Sequence, residues 1–291
     1  MKNLSIIFLS IFLESLPFIL LGSLISSIIE VFVSNDKIAK LLPKNKILGS
    51  IVGVLLGFFI PACDCAVIPV SKRLLKKKVP INVAVSFMLA SPIINPIVLL
   101  STYTAFYKTN PEIFWYRLIF GIIISLIIGI ILGIIYKDKD ITINNSDEDH
   151  CACCKHHKDN KLISVINHTM LDMYDVLKYL MLGAFITAIF QTTIPRGVIT
   201  VFNNNQVFSI ITMMIFAYLI SLCSTSDSFV GKSLLSQFST TSVLAYLLVG
   251  PMIDIKNTFV LLGNYNKKFV YTLISLIFII IFIFSIGVIL I

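Results

Sequence analysis

The sequence predicts an all-α polytopic membrane protein: about eight transmembrane helices plus broken or re-entrant segments, in two internally repeated halves. Three observations carry that expectation. First, 57% of the 291 residues are hydrophobic and only 13% are charged, whereas a soluble domain has about a quarter charged residues. Second, apolar runs recur at 4–33, 47–60, 81–106, 113–136, 176–190, 207–223, 243–262 and 269–291; about 20 such residues cross a ~30 Å hydrocarbon core as a helix. Third, the runs are continuous rather than alternating, so barrel strands are excluded and helices must satisfy the backbone in lipid.

The elements follow in chain order. The run 4–33 is too long for the apolar part of a signal peptide and lacks a small-residue cleavage site, so it reads as a retained first span. The run 47–60 ends in Phe59-Ile60-Pro61-Ala62-Cys63-Asp64-Cys65, and Pro61 and Pro69 bracket a polar, thiol-bearing element. Pro92 and Pro96 interrupt 81–106, and Pro251 interrupts 243–262. Proline removes a helical hydrogen bond, and freed backbone at membrane depth survives only inside protein or beside a cavity. The prolines are therefore expected pocket builders, with ordinary helix kinks as the alternative.

Between 137 and 161 the chain turns hydrophilic and separates a first unit, 1–136, from a second, 162–291. The two halves share landmarks. Gly22 in Leu21-Gly22-Ser23 matches Gly183 in Leu182-Gly183-Ala184 at an offset of 161, which also sets Glu14 against Asp175 and Cys63-Asp64-Cys65 against Ser224-Thr225-Ser226. Ser91-Pro92-Ile93-Ile94-Asn95 falls against Gly250-Pro251-Met252-Ile253-Asp254 with a two-residue slip. Repeated halves are characteristic of secondary transporters, whose substrate sites lie near the midplane between them. Parallel and inverted arrangements both remain open from the sequence.

The formal net charge of +8 does not indicate nucleic-acid binding. The basic residues cluster between spans, as at Lys72, Arg73, Lys76, Lys77 and Lys78, where they anchor topology and meet lipid headgroups. The six cysteines are too closely spaced for a disulfide framework and suit soft-ion or thiol chemistry.

Acids within spans are the strongest functional signal, because each costs on the order of 2.5–3.5 kcal/mol to insert at mid-membrane. Glu14, Asp64, Asp175, Asp227 and Asp254 raise that question, as cation or proton sites or as structural caps and ion-paired acids. Cys63 and Cys65 flank Asp64; thiolates select soft ions, while buried cysteines also serve as plain apolar filler. In the linker, His150, Cys151, Cys153, Cys154, His156 and His157 supply six thiol or imidazole groups within eight residues, a candidate metal-capture tract. Gly231-Lys232-Ser233 does not complete a phosphate-binding loop, since Ser226 stands where its first glycine is required. No catalytic residues are assigned, and the chain is not expected to be an enzyme.

The segments Pro61-Ala62-Cys63-Asp64-Cys65-Ala66-Val67-Ile68-Pro69, the stretch from Val79-Pro80-Ile81-Asn82 to Ser91-Pro92-Ile93-Ile94-Asn95-Pro96, and Cys223-Ser224-Thr225-Ser226-Asp227 resemble signatures of a family of predicted bacterial permeases. That family includes ArsP-type organoarsenical efflux permeases and relatives assigned to copper or zinc efflux. The resemblance implies a multi-pass permease of the bacterial cytoplasmic membrane with a duplicated core. It makes Cys63, Cys65 and Cys223 candidate thiol ligands, with Pro92 and Asn95 shaping the pathway. Together these readings give an exporter of a soft metal ion or trivalent metalloid, with substrate contacts from Glu14, Cys63, Asp64, Cys65, Asn95, Asp175, Cys223 and Asp227. The alternatives are a carrier of a small organic or sulfur-containing solute, and a membrane thiol redox or sensor protein. No tightly bound cofactor is expected, only a transient zinc, copper or arsenic species. Expected partners are that substrate, the lipid bilayer, and a homo-oligomer or accessory membrane protein, with no nucleic acid.

Overall fold

The computed structural model describes residues 2–32, 45–60, 63–136, 141–142, 161–193 and 205–289. The metal-capture tract His150, Cys151, Cys153, Cys154, His156 and His157 lies outside the described residues, as does Pro61. Twelve helices are described: α1 (Lys2–Phe32), α2 (Lys46–Phe59), α3 (Asp64–Lys76), α4 (Ile81–Ile94), α5 (Pro96–Phe106), α6 (Glu112–Ile135), α7 (Lys161–Thr193), α8 (Gln206–Ile220), α9 (Ser224–Leu234), α10 (Thr240–Met252), α11 (Ile255–Asn264) and α12 (Lys267–Ile289).

Among the described residues, six segments are long and apolar enough to cross a membrane: Leu4–Ile29, Ile81–Phe106, Glu112–Ile135, Ile163–Thr193, Thr240–Asn264 and Lys267–Ile289. The other two expected spans are the shorter apolar helices α2 and α8, of 14 and 15 residues, or about 21–22 Å at 1.5 Å per residue. Lengths of 31, 14, 13, 14, 11 and 24 residues in α1–α6 are followed by 33, 15, 11, 13, 10 and 23 in α7–α12. Each series therefore runs from a long helix through short ones and a broken span-length segment to a long exit helix.

The breaks are chemically determined. After α4, whose Pro92 cannot donate to the carbonyl four residues back, Asn95 turns the chain; its Oδ1 accepts the Ile97 N–H at 3.0 Å and Pro96 opens α5. Asp254 does the same after Pro251: its Oδ1 accepts the Asn257 N–H at 2.6 Å and caps α11. Such side-chain caps satisfy the amide groups that a helix start leaves unpaired.

The broken segments α4–α5 and α10–α11 form the interior. The most apolar stretch of Thr240–Asn264 is 94% buried and that of Ile81–Phe106 is 78% buried, against 17% for the first span. Around this core α2 and α6 pack on α4, α8 and α12 pack on α10, α5 meets α9, and α3 meets α11. Glycines at 49, 53 and 57 bring α2 against α4, and an added Cβ at Gly57 would meet the Ser91 amide at 2.9 Å. Small residues spaced by four are how membrane helices gain close packing without a hydrophobic driving force between them. The long helices α1 and α7 pack on each other; α1 also lies over α3, and α7 over α11.

Candidate transport site

Two glycines seat the outer pair on the core. A Cβ at Gly22 of α1 would stand 2.7 Å from the Ala66 Cα of α3, and one at Gly183 of α7 would stand 2.7 Å from the Lys256 Cα of α11. The two long helices therefore touch backbone at the places where polar groups gather. Between α1 and the core lies a small cavity of about 20 Å³, room for one water or a bare ion. From α1 it is lined by Glu14, with Ile11, Ser15 and Phe18. The start of α3 supplies Cys63, Asp64 and Cys65, the α8–α9 turn supplies Ser221 and Cys223, and α11 supplies Lys256.

Cys63 and Cys223 are the N-caps of α3 and α9. They occupy matching places, one residue out of register from the offset of 161 read on the glycines. Neither makes a side-chain cap bond. Both are partly buried, Cys65 is buried, and all three are free thiols. Two helix N-termini thus open on one cavity and present the positive ends of their peptide dipoles.

Below the cavity a charged cluster is fully packed. Lys256 Nζ lies 3.3 Å from Asp64 Oδ2 and 3.3 Å from Asp254 Oδ2. Asp64 also accepts from Ser224 Oγ at 3.3 Å and from Asn257 Nδ2 at 3.3 Å. The Asp254 contact lacks hydrogen-bond alignment, so its Oδ2, like Asn257 Oδ1, is a buried acceptor without a hydrogen-bond partner. Two acids share one lysine, so neither buried carboxyl lacks a nearby cation.

The backbone adapts to this cluster at Ser221. Its φ of 51° and ψ of 51° are left-handed, uncommon for a residue with a side chain. The turn ends α8 and lets the Ser221 carbonyl accept from Lys256 Nζ at 3.3 Å. From α7, Gln191 Nε2 donates to the Ile220 carbonyl and Thr187 Oγ1 donates to Ser221 Oγ at 3.4 Å, holding the turn.

Of the residues picked from the sequence, Glu14, Cys63, Asp64, Cys65 and Cys223 come together around the cavity. Asn95 is buried as the α5 cap, and Asp227 is buried on α9, accepting from the Tyr246 hydroxyl at 2.9 Å. Asp175 is partly buried on α7 and is not among the lining residues. Sequence reasoning missed Lys256, Asn257 and Ser221. A signal for the first was present: Lys256 is the one basic residue in the run 243–262. Among the described residues no three His, Cys, Asp or Glu side chains are already gathered closely enough to hold a metal ion.

The model of the ArsP_1 family, described as predicted permease, matches residues 1–289. UPF0718 protein YcgR of Bacillus subtilis is 41% identical over 287 residues, covering 96% of this chain and 94% of the relative. A Streptococcus mutans protein, described as a candidate subunit of a two-component membrane permease complex, is 39% identical over 285 residues, covering 97% and 94%. No solved structure matches the chain. With six segments able to cross a membrane and a family match over nearly its whole length, this multi-pass membrane protein belongs to the ArsP_1 family of predicted permeases.

Proposed function

We propose that this permease exports a soft metal ion or trivalent metalloid by secondary transport, holding it with Cys63, Cys65 and Cys223. The observation that carries this reading is that these three thiols, from opposite ends of the chain, border one cavity together with Glu14. Sulfur ligands favour soft, thiol-seeking species over hard ions. The thiols do not form a finished metal site, so binding would draw α3 and α9 together, a motion suited to a carrier rather than a storage site.

The paired helix series supports two repeated units, 1–136 and 162–291, with cargo between them, and the tract His150–His157 would collect the ion at the linker. No nucleotide-binding motif is present in the sequence, which favours an ion gradient as the driving force. The description of the Streptococcus relative as a complex subunit supports an accessory membrane protein as partner.

The test is uptake of arsenite, zinc and cuprous ion into inverted membrane vesicles. Transport of at least one of them that is lost in Cys63→Ser and Cys65→Ser is the expected result. Unaltered transport in both variants removes the thiol mechanism. A second reading, transport of a small organic or sulfur-containing solute, is favoured by the absence of a finished metal site among the described residues. It gains if purified protein binds none of the three ions.

A further inference from the structure

Behind the cavity lies a second buried charged group that the cargo reading does not use. Arg117 of α6 is fully buried, and among the described residues no carboxylate lies within ion-pair distance of it. Its Nη1 donates instead to Thr102 Oγ1 at 2.7 Å and to Ser228 Oγ at 2.8 Å, and its Nη2 to the Ser224 carbonyl at 3.5 Å. Its Nε has no partner. Asp227, one residue before Ser228, is 2% exposed. It accepts a single bond, from the Tyr246 hydroxyl of α10, and its Oδ2 has no partner.

A buried guanidinium and a buried carboxyl in electrostatic reach of each other, each with an unused atom, fit two arrangements. Arg117 rests on hydroxyls here, the arrangement that a neutral Asp227 would leave. With Asp227 ionised, the low-dielectric surroundings pull the guanidinium onto Oδ2. The second arrangement takes Arg117 off the Ser224 carbonyl. Ser224 opens α9, directly after the Cys223 cap, and its hydroxyl donates to Asp64 at the cavity. A proton on Asp227 would thereby be linked, through Ser224, to the Cys223 cap and to the cluster of Asp64 and Lys256.

We propose that Asp227 is the proton-coupling carboxyl of the permease, with Arg117 as its counter-ion and Ser224 as the link to the cargo cavity. This rests on the transport reading but not on the identity of the cargo. The groups that act electrostatically on Asp227 are Arg117 of α6, Tyr246 of α10, Asp64 of α3 and Lys256 of α11; of the two buried acids with an unpartnered oxygen, Asp227 and Asp254, Asp227 is the one on α9, the helix that Cys223 caps.

Infrared difference spectra of the full chain in lipid vesicles, recorded across a pH jump without cargo, test the assignment directly. The expected result is a protonated-carboxyl band that disappears at high pH, is absent in Asp227→Asn and returns, displaced in pH, in Asp227→Glu. A band unchanged in Asp227→Asn overturns the proposal. In vesicles loaded with arsenite, zinc or cuprous ion, Asp227→Asn should lose gradient-driven accumulation while retaining exchange of cargo at equal pH. Full gradient-driven accumulation in that variant also overturns it. The infrared band with no movement of any of the three ions would sink the cargo reading and leave Asp227 as the titrating group.

Discussion

The ammonium of Lys256 on α11 stands 3.3 Å from the carboxylate of Asp64 on α3, so the two halves of the chain are joined by a buried ion pair. Replacing Lys256 with methionine leaves Asp64 and Asp254 without their shared cation. A loss on the order of 3–5 kcal/mol is expected, as for other buried pairs broken from one side. Thermal unfolding in detergent should show it, and Asp64→Asn in the Lys256→Met background should recover part of it. An unshifted melting temperature in Lys256→Met would mean that the pair is not load-sharing.

Gly22 and Gly183 permit backbone contact at Ala66 and Lys256. Valine at either position must push the long helix away or strain the core, at a cost of about 1–3 kcal/mol. Gly22→Val should also widen the gap between α1 and α3, so that Cys65 becomes easier to label with a water-soluble thiol reagent. Labelling rates measured in vesicles check this.

Cys63 and Cys223 are partly exposed at the cavity whereas Cys65 is buried. In a background lacking the linker cysteines, the first two should react with a methanethiosulfonate reagent faster than the third. A bound soft ion should protect all three. Mass spectrometry of peptides after timed labelling gives the order.

At the other end of α3, Arg73 grips Asp172 of α7 through Nη2 at 2.7 Å and Nε at 3.2 Å, and Ser26 of α1 joins at 3.0 Å. Charge-assisted bonds of this kind are worth roughly 1.5–3 kcal/mol each. Asp172→Asn should therefore lower stability and, in a double-mutant cycle with Arg73→Gln, show a coupling well above experimental error. Additive effects in melting experiments would count against the clamp.

The membrane class and the helix count were legible because lipid imposes long apolar runs, and those runs survive any detail of packing. The thiols and Glu14 were legible because polar groups stand out against such a background. Lys256 was hidden by proximity to Asp254, which drew attention as the polar member of the proline break, and Arg117 by its place near the start of an apolar run. Ser221 left no trace in the sequence: a left-handed serine is imposed by its neighbours on α7 and α11, not by its own preference. Asp175 matched Glu14 by offset, yet a shared position in two helices does not make them face one chamber when both long helices lie on the same side of the core.

That one-sided placement has a bearing on the bilayer itself. The first span is 26 residues long, about 39 Å of helix, against a hydrocarbon core of ~30 Å. A helix longer than the hydrocarbon core leans to fit, and the packing of α1 on α7 and α3 sets the angle. Glu14 rides on that helix, so the same packing that fixes its lean fixes the depth at which this carboxyl meets the thiols.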